Sequence, residues 1–592
     1  HGEPELSASD DPDPDSDDPA PRRVARWGAR WGALSAPVTW CGMVLVTLLL
    51  GVLAWQRRWI SDDGLIVVRT VRQILAGHGP VYNAIERAES STSTLWTAVL
   101  TGVGAFGAAD PAPLAVAVGG GCAVLGLFVA LDGTRRLHRR HGHQGPLLVA
   151  GALVPVAVPP FWDFATSGLE TGLGTLWLAA IWWLLVTLEP HASGRRRVVT
   201  ALVIGLGPLV RPDFGICTLV FGAAAWSIVA PSRRDALRLV AVALALPLAY
   251  EIFRAGYYGT LVPLPALAKS AASPSWSSWS RGLGYLLDFV LPHHLWLPFG
   301  VLALLLARAW LRGRVPRPDR LVILAPVLSA VLLLVYVVSV GGDFMHGRMC
   351  LPPALLLLLP GLLWPLRRES ALALLAIAAW AVVVGTRAGA HEPRDPGRSI
   401  WDERAGYVQY TKAPNPIHAS DFVGASPAAA RVARAVRDGE RLLIIEGGRR
   451  SVPLSPGCPA DVVFAVGRLG MGGAATPLDA IVADTNGLAS PLGARITPTR
   501  PGVSGHEKKL PIAWLLAEHA DPQAPTVGPR ARAAAAAARR AMRCGELAEL
   551  LESVRAPLTP RRFWANLVGS WRRTWLVIPA DPHEAEERFC AR

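Results

Sequence analysis

The stretch Gln56–Thr94, QRRWISDDGLIVVRTVRQILAGHGPVYNAIERAESSTST, follows directly on the first long apolar run of the chain. It opens with Arg57, Arg58 and Trp59 and then sets two carboxylates side by side, Asp62 and Asp63. Ser61 or Asp62 has the side chain to cap a short helix over residues 64–76, with Leu65, Val68, Val71 and Leu75 on its apolar side and Arg69 and Arg72 also on it. A loop holding acids and arginines together at a membrane surface has the groups to bind a phosphate and still keep a carboxylate for acid–base work. An interfacial helix with an aspartate cap and snorkelling arginines would use the same residues.

What surrounds that loop is membrane protein. Of 592 residues, 51% are hydrophobic and 18% charged, and the mean hydropathy is +0.33. This profile fits a polytopic α-helical protein with a sizeable soluble part. The net charge of +14 comes mainly from arginine in short loops between apolar runs, which the positive-inside rule explains without any nucleic-acid partner. Spans are expected at 37–56, 112–132, 146–161, 170–188, 197–211, 213–230, 235–253, 294–311, 320–340, 349–366 and 370–387, about eleven crossings of the bilayer. The apolar stretch Leu95–Gly107 is too short to cross and reads as re-entrant or interfacial. With it left out of the count, the arginine-rich segments at 134–143, 194–198, 232–238, 308–320 and 367–368 all fall on the cytoplasmic side. The Asp62–Asp63 loop, DFATSGLETG (163–172), RPDFG (211–215), the long loop 254–293 and GGDFMHGR (341–348) then share the external side. This segregation points to an external active site.

The soluble parts lie at the two ends. Residues 1–36 read as a cytoplasmic tail, acidic and disordered at first, with Arg22, Arg23, Arg26 and Arg30 before the first span and no cleavable signal peptide. Hydropathy drops from Ala388 onward, so 37–387 forms the membrane domain and 388–592 one external domain. In the latter, RLLII (441–445), ADVVFAV (460–466) and DAIVAD (479–484) read as buried strands. PIAWLLAEH (511–519), 530–544, 546–554 and 559–571 read as helices, which makes a mixed α/β domain. GRLGMGG (467–473) fits neither the phosphate-loop nor the dinucleotide pattern and reads as a strand-to-loop connection.

No nucleotide-binding motif is present, and an external site has no supply of nucleotide sugars. A transferase there needs a membrane-carried donor such as a polyprenyl-phosphate sugar. Phosphate is already a good leaving group, so the protein must supply a carboxylate base and cations or a metal. Asp62, Asp63, Arg57, Arg58 and Arg69 match that list, and Lys269, Arg254, His346 and Arg348 are candidates from other external loops. Asp163, Glu170, Asp213 and Asp343 are the acids available to a sugar acceptor. The chemistry calls for no cofactor, though a divalent cation at Asp62 or Asp63 is compatible with it. A transferase for another polyprenyl-phosphate sugar fits the same list. A lipid-linked sugar transporter or flippase would place its ionisable groups within the spans and show internal repeats, and neither is evident.

The Trp55–Thr97 segment resembles the first external loop of the arabinofuranosyltransferase B family, the terminal β-(1→2) arabinofuranosyltransferases of arabinogalactan and lipoarabinomannan synthesis. DFATSGLETGL, VRPDF, YEIFRAGYYGTLVPLPALAKSA, GGDFMHGRMCLPP, DERAGYVQYT and SVRAPLTPRRF are similar to that family too and keep its order, while the acidic N-terminal tail is not covered. The resemblance implies the GT-C superfamily fold and a catalytic acid in the first external loop, Asp62 or Asp63, with Asp62 favoured as base. It also implies a decaprenyl-phosphoryl-arabinofuranose donor, an arabinan acceptor and residence in the plasma (inner) membrane with an extracytoplasmic site. The family's donor and product are both β-linked, so one in-line displacement does not account for the outcome. A covalent intermediate or same-face attack is needed. Of the seven cysteines, the matching family positions pair Cys544 with Cys590 and leave Cys458 over.

Overall fold

The computed structural model describes residues 19–107, 110–269, 276–313, 315–387, 400–447, 451–498 and 506–591, with backbone alone for 19–35, 317 and 318. Among them, six helices are long and apolar enough to cross a bilayer: Ala36–Gln56, Pro111–Arg140, Pro212–Val229, Arg233–Tyr257, Asp319–Ser339 and Arg368–Arg387. Four shorter apolar helices accompany them, Thr94–Gly104, Thr171–Val186, Trp296–Leu311 and Arg348–Gly361. The chain is a multi-pass helical membrane protein. Helix α1 runs from Pro19 to Gln56, so the expected disordered tail is helical from Pro19; the rest of that expectation, 1–18, lies outside the described residues.

Two of the expected spans are not continuous helices. Leu147–Val149 (β1) pairs antiparallel with Leu363–Pro365 (β2), and the rest of these two stretches forms short helices, Leu153–Ala157 and Pro159–Ala165 in the first and Leu351–Leu358 in the second. Pro155, Pro159, Pro160 and Pro360 supply the reason, since each lacks an amide donor and its ring clashes with the preceding turn. The freed backbone is tolerated because protein buries it: Leu147 N donates to Thr39 Oγ1 (3.0 Å), and the Leu363 carbonyl meets His138 Nε2 (3.0 Å). The expected span 197–211 breaks likewise, into Gly194–Gly205 and Gly207–Val210 around Pro208.

The two ends of the bundle differ in chemistry. At one end arginines dominate: Arg135 and Arg136 on Asp132, Arg140 and His141 on Asp319, and Arg312 on Glu369. At the other end acids and arginines alternate in buried pairs, Arg57–Asp163, Arg211–Asp213, Arg254–Glu89 and Arg348–Asp343.

Against that second end sits the C-terminal region, a four-stranded sheet in the order β4 (Ser451–Pro453), β3 (Leu442–Ile445), β5 (Val462–Val466), β6 (Ile481–Asp484). β3, β5 and β6 run parallel and β4 antiparallel, and helices including Ile512–His519, Pro529–Ala541 and Gly545–Arg555 pack around them. The strand and helix expectations for this region therefore stand to within a few residues. GRLGMGG is the exception: Leu469–Ala475 is a short helix.

Helix α2 (Asp62–Leu75) joins the two parts. Ile66 packs in one core with Val432, Ile444, Phe464 and Val482, while Leu65, Val68 and Val71 pack in another with Trp96, Phe422 and Met471. Each such side chain is worth about 1.5–3 kcal/mol on burial. Helix α2 is therefore buried between bundle and sheet, and the interfacial-helix reading of this stretch does not hold.

Candidate active site

Helix α2 starts where the sequence puts its cap. Ser61 Oγ accepts from Gly64 N (2.9 Å), which leaves the Asp62 and Asp63 carboxylates free of capping duty. Asp62 Oδ1 instead accepts from Met471 N (2.8 Å), at the start of the Leu469–Ala475 helix. The glycines of GRLGMGG permit this approach, since a Cβ on Gly470 would collide with the Asp62 carbonyl oxygen and one on Gly473 with Arg69 and the Tyr82 hydroxyl. Burial, with Asp63 adding to it, pushes the Asp62 carboxyl up to about 7 against the pull of the Met471 amide.

Asp63 is held the opposite way. Burial alone would raise it, but Lys269, Arg348 and His506 outweigh burial and keep it below the ordinary carboxylate range. Arg348 Nη1 lies 3.5 Å from Asp63 Oδ2, and its Nε lies 3.3 Å from Asp343. A cleft beside Asp63 is lined by Ser90, Ser91, Thr92, Glu170, Lys269 and Arg348. Glu170 is 3.9 Å from Arg211, which grips Asp213 with two hydrogen bonds of 3.0 and 2.9 Å. Two adjacent acids thus sit in opposite protonation regimes, the pattern that separates a base from a permanently charged neighbour.

A third carboxyl joins them from the C-terminal side. Glu403 is 8% exposed; its Oε1 accepts from the Tyr407 hydroxyl (3.0 Å) and its Oε2 has no hydrogen-bond partner in the protein. Burial and the charges of Asp63 and Asp62 push it well above the usual carboxylate range. Its segment, DERAGYVQYT, drew attention in the sequence, but nothing local marks this glutamate as facing the aspartate pair.

Other expected site residues are used elsewhere. Arg69 is buried and gives its guanidinium to the carbonyls of Tyr82, Gly473, Thr476, Pro477 and Ala480. It ties α2 to the C-terminal region and has no donor left for a phosphate. Burial brings it down to about 10, so it stays charged. Arg57 grips the fully buried Asp163 through two bonds (2.7 and 3.1 Å), so each spends its charge on the other. Arg254 pairs with Glu89 and Glu251, and Arg58 lies over the Trp55 ring. His346 places Nδ1 3.1 Å from the Trp401 carbonyl and Nε2 4.0 Å from Asp163.

Asp163, His346 and Asp402 are the described group whose ligand atoms lie within 4.8 Å of one another, as a metal requires. Arg57 on Asp163 and Arg404, 4.0 Å away, already neutralise these carboxylates, so the set fits a divalent cation poorly. At Asp63 the counter-charges are likewise organic, Lys269 and Arg348. Cys544 and Cys590 form a disulfide, and Cys458 is a buried free thiol.

Comparison with known proteins completes this picture. Residues 459–587 match the AftB family C-terminal domain. The chain is 35% identical to the terminal β-(1→2)-arabinofuranosyltransferase of Mycobacterium tuberculosis, with 92% of this chain and 96% of that protein covered. The Corynebacterium glutamicum protein of the same name is 34% identical over 95% of this chain and 91% of its own. The chain belongs to this family. Terminal β-(1→2)-arabinofuranosyltransferases are glycosyltransferases, and the match spans bundle and C-terminal region alike. Among solved structures, ArnT from Cupriavidus metallidurans bound to undecaprenyl phosphate is 18% identical over 67% of this chain and 68% of that one, with a TM-score of 0.34, too loose a likeness to bear on the site. Met471, Glu403 and Tyr407 lie beside the aspartate pair without having been singled out from the sequence, and the glycine run 467–473 was the one available signal for the first.

Proposed function

We propose that the protein moves an arabinofuranosyl group from decaprenyl-phosphoryl-arabinofuranose to the 2-hydroxyl of a terminal arabinan residue of arabinogalactan or lipoarabinomannan, forming a β-(1→2) link. The observation that carries this reading is the split between Asp62, near 7, and Asp63, ionised beside Lys269 and Arg348. Asp62 is the base: it takes the proton of the acceptor hydroxyl, whose oxygen forms the new bond to the anomeric carbon on the same face that the phosphate leaves, so the β configuration is kept. The bond from that carbon to the phosphate oxygen breaks, the electron pair leaves with the phosphate, and Lys269 and Arg348 neutralise it. Asp63, already seated between these cations, orients Asp62 and stabilises positive charge on the sugar ring. Glu170 and the serines of the cleft hydrogen-bond sugar hydroxyls, and Asp213 and Asp343 hold Arg211 and Arg348 in place. The arginine-rich end of the bundle faces the cytoplasm and the carboxylate end, with the C-terminal region, faces outward across the plasma membrane.

The test is a purified-protein assay in nanodiscs with synthetic prenyl-phosphoryl-arabinofuranose and an arabinan acceptor, read by linkage analysis. A terminal β-(1→2)-arabinofuranose product is expected. Transfer of a different prenyl-linked sugar in preference, or donor translocation without transfer, would overturn the reading.

A further inference from the structure

The Pro560–Thr574 helix of the C-terminal region has two faces. Asn566, Ser570, Arg573 and Thr574 are buried. They and Phe563 dock the helix onto the carboxylate end of the Arg233–Tyr257 span. Asn566 Nδ2 donates to the Gly256 carbonyl (3.1 Å), Arg573 Nε donates to the Gly259 carbonyl (3.0 Å), and Thr574 Oγ1 accepts from Leu261 N (2.8 Å). Phe563 lies so close over Gly256 that no side chain fits there. The opposite face is an apolar stripe with nothing on it. Trp564, Val568 and Trp571 occupy helical positions i, i+4 and i+7, Trp575 continues the stripe, and all four are between 62% and 79% exposed. Arg561 and Arg572 flank the stripe, both exposed, and no acid lies on this face.

We infer that this helix lies in the plane of the bilayer surface, with Trp564, Val568, Trp571 and Trp575 in the lipid interface and Arg561 and Arg572 on lipid phosphates, so that the C-terminal region is itself membrane-seated. Height is the first argument. A 25-residue helix is about 37 Å long, more than the ~30 Å hydrocarbon thickness, so Gly256 near its end lies at the boundary where headgroups begin. The second is continuity. The span to which the helix is docked exposes Leu237, Val240, Leu244, Leu248 and Ile252, the surface that lipid must cover. The third is composition: tryptophan with flanking arginine is the chemistry of an interfacial anchor, and a contiguous apolar stripe left in water would be costly. Seating this region in the interface would hold Met471 and Glu403 over α2 at one fixed height, where a lipid-borne substrate presents its headgroup.

The test uses the full chain in phosphatidylethanolamine–phosphatidylglycerol nanodiscs, its five free cysteines replaced and Val568→Cys carrying a nitroxide. Collision with oxygen, which partitions into lipid, should exceed collision with a water-soluble nickel chelate. A label at Asp461→Cys, on an exposed site of the sheet, should read the reverse. Nickel access equal to or above oxygen access at 568 would overturn the inference and fit a water-facing platform for a glycan. Low access to both would overturn it in favour of a second protein surface. Unlabelled protein gives an independent reading: lipids brominated near the headgroup should quench a larger share of emission in wild type than in the Trp564→Ser/Trp571→Ser/Trp575→Ser variant. Equal shares would also overturn the inference.

Discussion

Asp62 concentrates the chemistry of the chain in one side chain, and its two properties can be tested separately. Asp62→Asn keeps an oxygen for the Met471 amide and leaves the Ser61 cap untouched, so the protein should fold. Without a base, turnover should fall about 10²–10⁴-fold while donor binding persists; a variant with near-wild-type turnover would remove Asp62 from the mechanism. The pH profile is the second handle. A base must be ionised, so the rate should drop as pH falls through about 7, and this limb should vanish in the residual activity of Asp62→Asn. The stability sign follows from the same shift. A carboxyl raised in the folded state contributes most below its unfolded value of 3.8 and loses that contribution as pH rises through about 7. Asp62→Asn should therefore gain Tm relative to wild type between pH 5 and pH 8, and a constant difference would mean the carboxyl is not raised. Lys269→Ala should weaken the donor KM by about tenfold, the loss of one charge-assisted hydrogen bond. Arg58→Ala, over Trp55 and away from the cleft, should change KM little.

At the scale of elements, the determining contact is α2 against the Leu469–Ala475 helix. Arg69→Ala would take a donor from five carbonyl groups; that of Tyr82 keeps Gln73 Nε2, and at 1–3 kcal/mol for each of the four left buried and unsatisfied the cost should be about 4 kcal/mol. Limited proteolysis of the C-terminal region and a lowered Tm would report it; unchanged resistance would show that the Arg69 cluster does not hold the two parts together. Gly470→Ala tests the same joint at its closest backbone approach. Its Cβ must push the Met471 amide away from Asp62, and a displacement near 1 Å at a reacting group costs about 10²-fold in rate. The loss should appear in kcat and, because the clash is with backbone, in a lowered Tm as well. Asn83 adds a quieter link: its amide pairs with both backbone groups of Val482 (3.0 Å each) and so closes the free edge of β6 with the first loop.

For the molecule as a whole, sidedness is the open property with a direct measurement. Cysteines introduced at Arg136 and Asp461 lie on the arginine-rich end and on the sheet. Membrane-impermeant labelling of intact cells should modify the second and spare the first, and labelling at 136 would invert the proposed topology. The Cys544–Cys590 bridge closes a loop of 46 residues and ties the start of the Gly545–Arg555 helix to the end of the Pro582–Cys590 helix. Chain entropy assigns such a loop about 4 kcal/mol, so reduction should lower the Tm of the C-terminal region without disturbing the bundle.

What was legible beforehand was what is local. Apolar runs such as VVFAV marked the sheet strands, and the adjacent pair Asp62–Asp63 after a span marked the site, because hydrophobic patterning and neighbouring carboxylates are properties of a few consecutive residues. Apolar runs alone do not mark the breaks at 146–161 and 349–366, where prolines interrupt the helices and a two-stranded pairing between residues more than 200 positions apart absorbs the freed backbone. Whether an arginine is free for a ligand was not legible at all. Arg57 and Arg69 look alike in sequence to Arg348, yet carbonyls 404 to 411 residues downstream occupy Arg69, and Asp163 occupies Arg57. The helix at GRLGMGG and the raised Glu403 carboxyl belong to the same class. A glycine run has no reason to form a helix until α2 offers it a surface, and a glutamate has no reason to hold its proton until burial beside two other carboxyls makes its charge costly. The sequence by itself determined the sheet strands, the long apolar helices and the candidate carboxylate pair; only tertiary structure, by burying α2 between bundle and sheet, decided which charges already have partners.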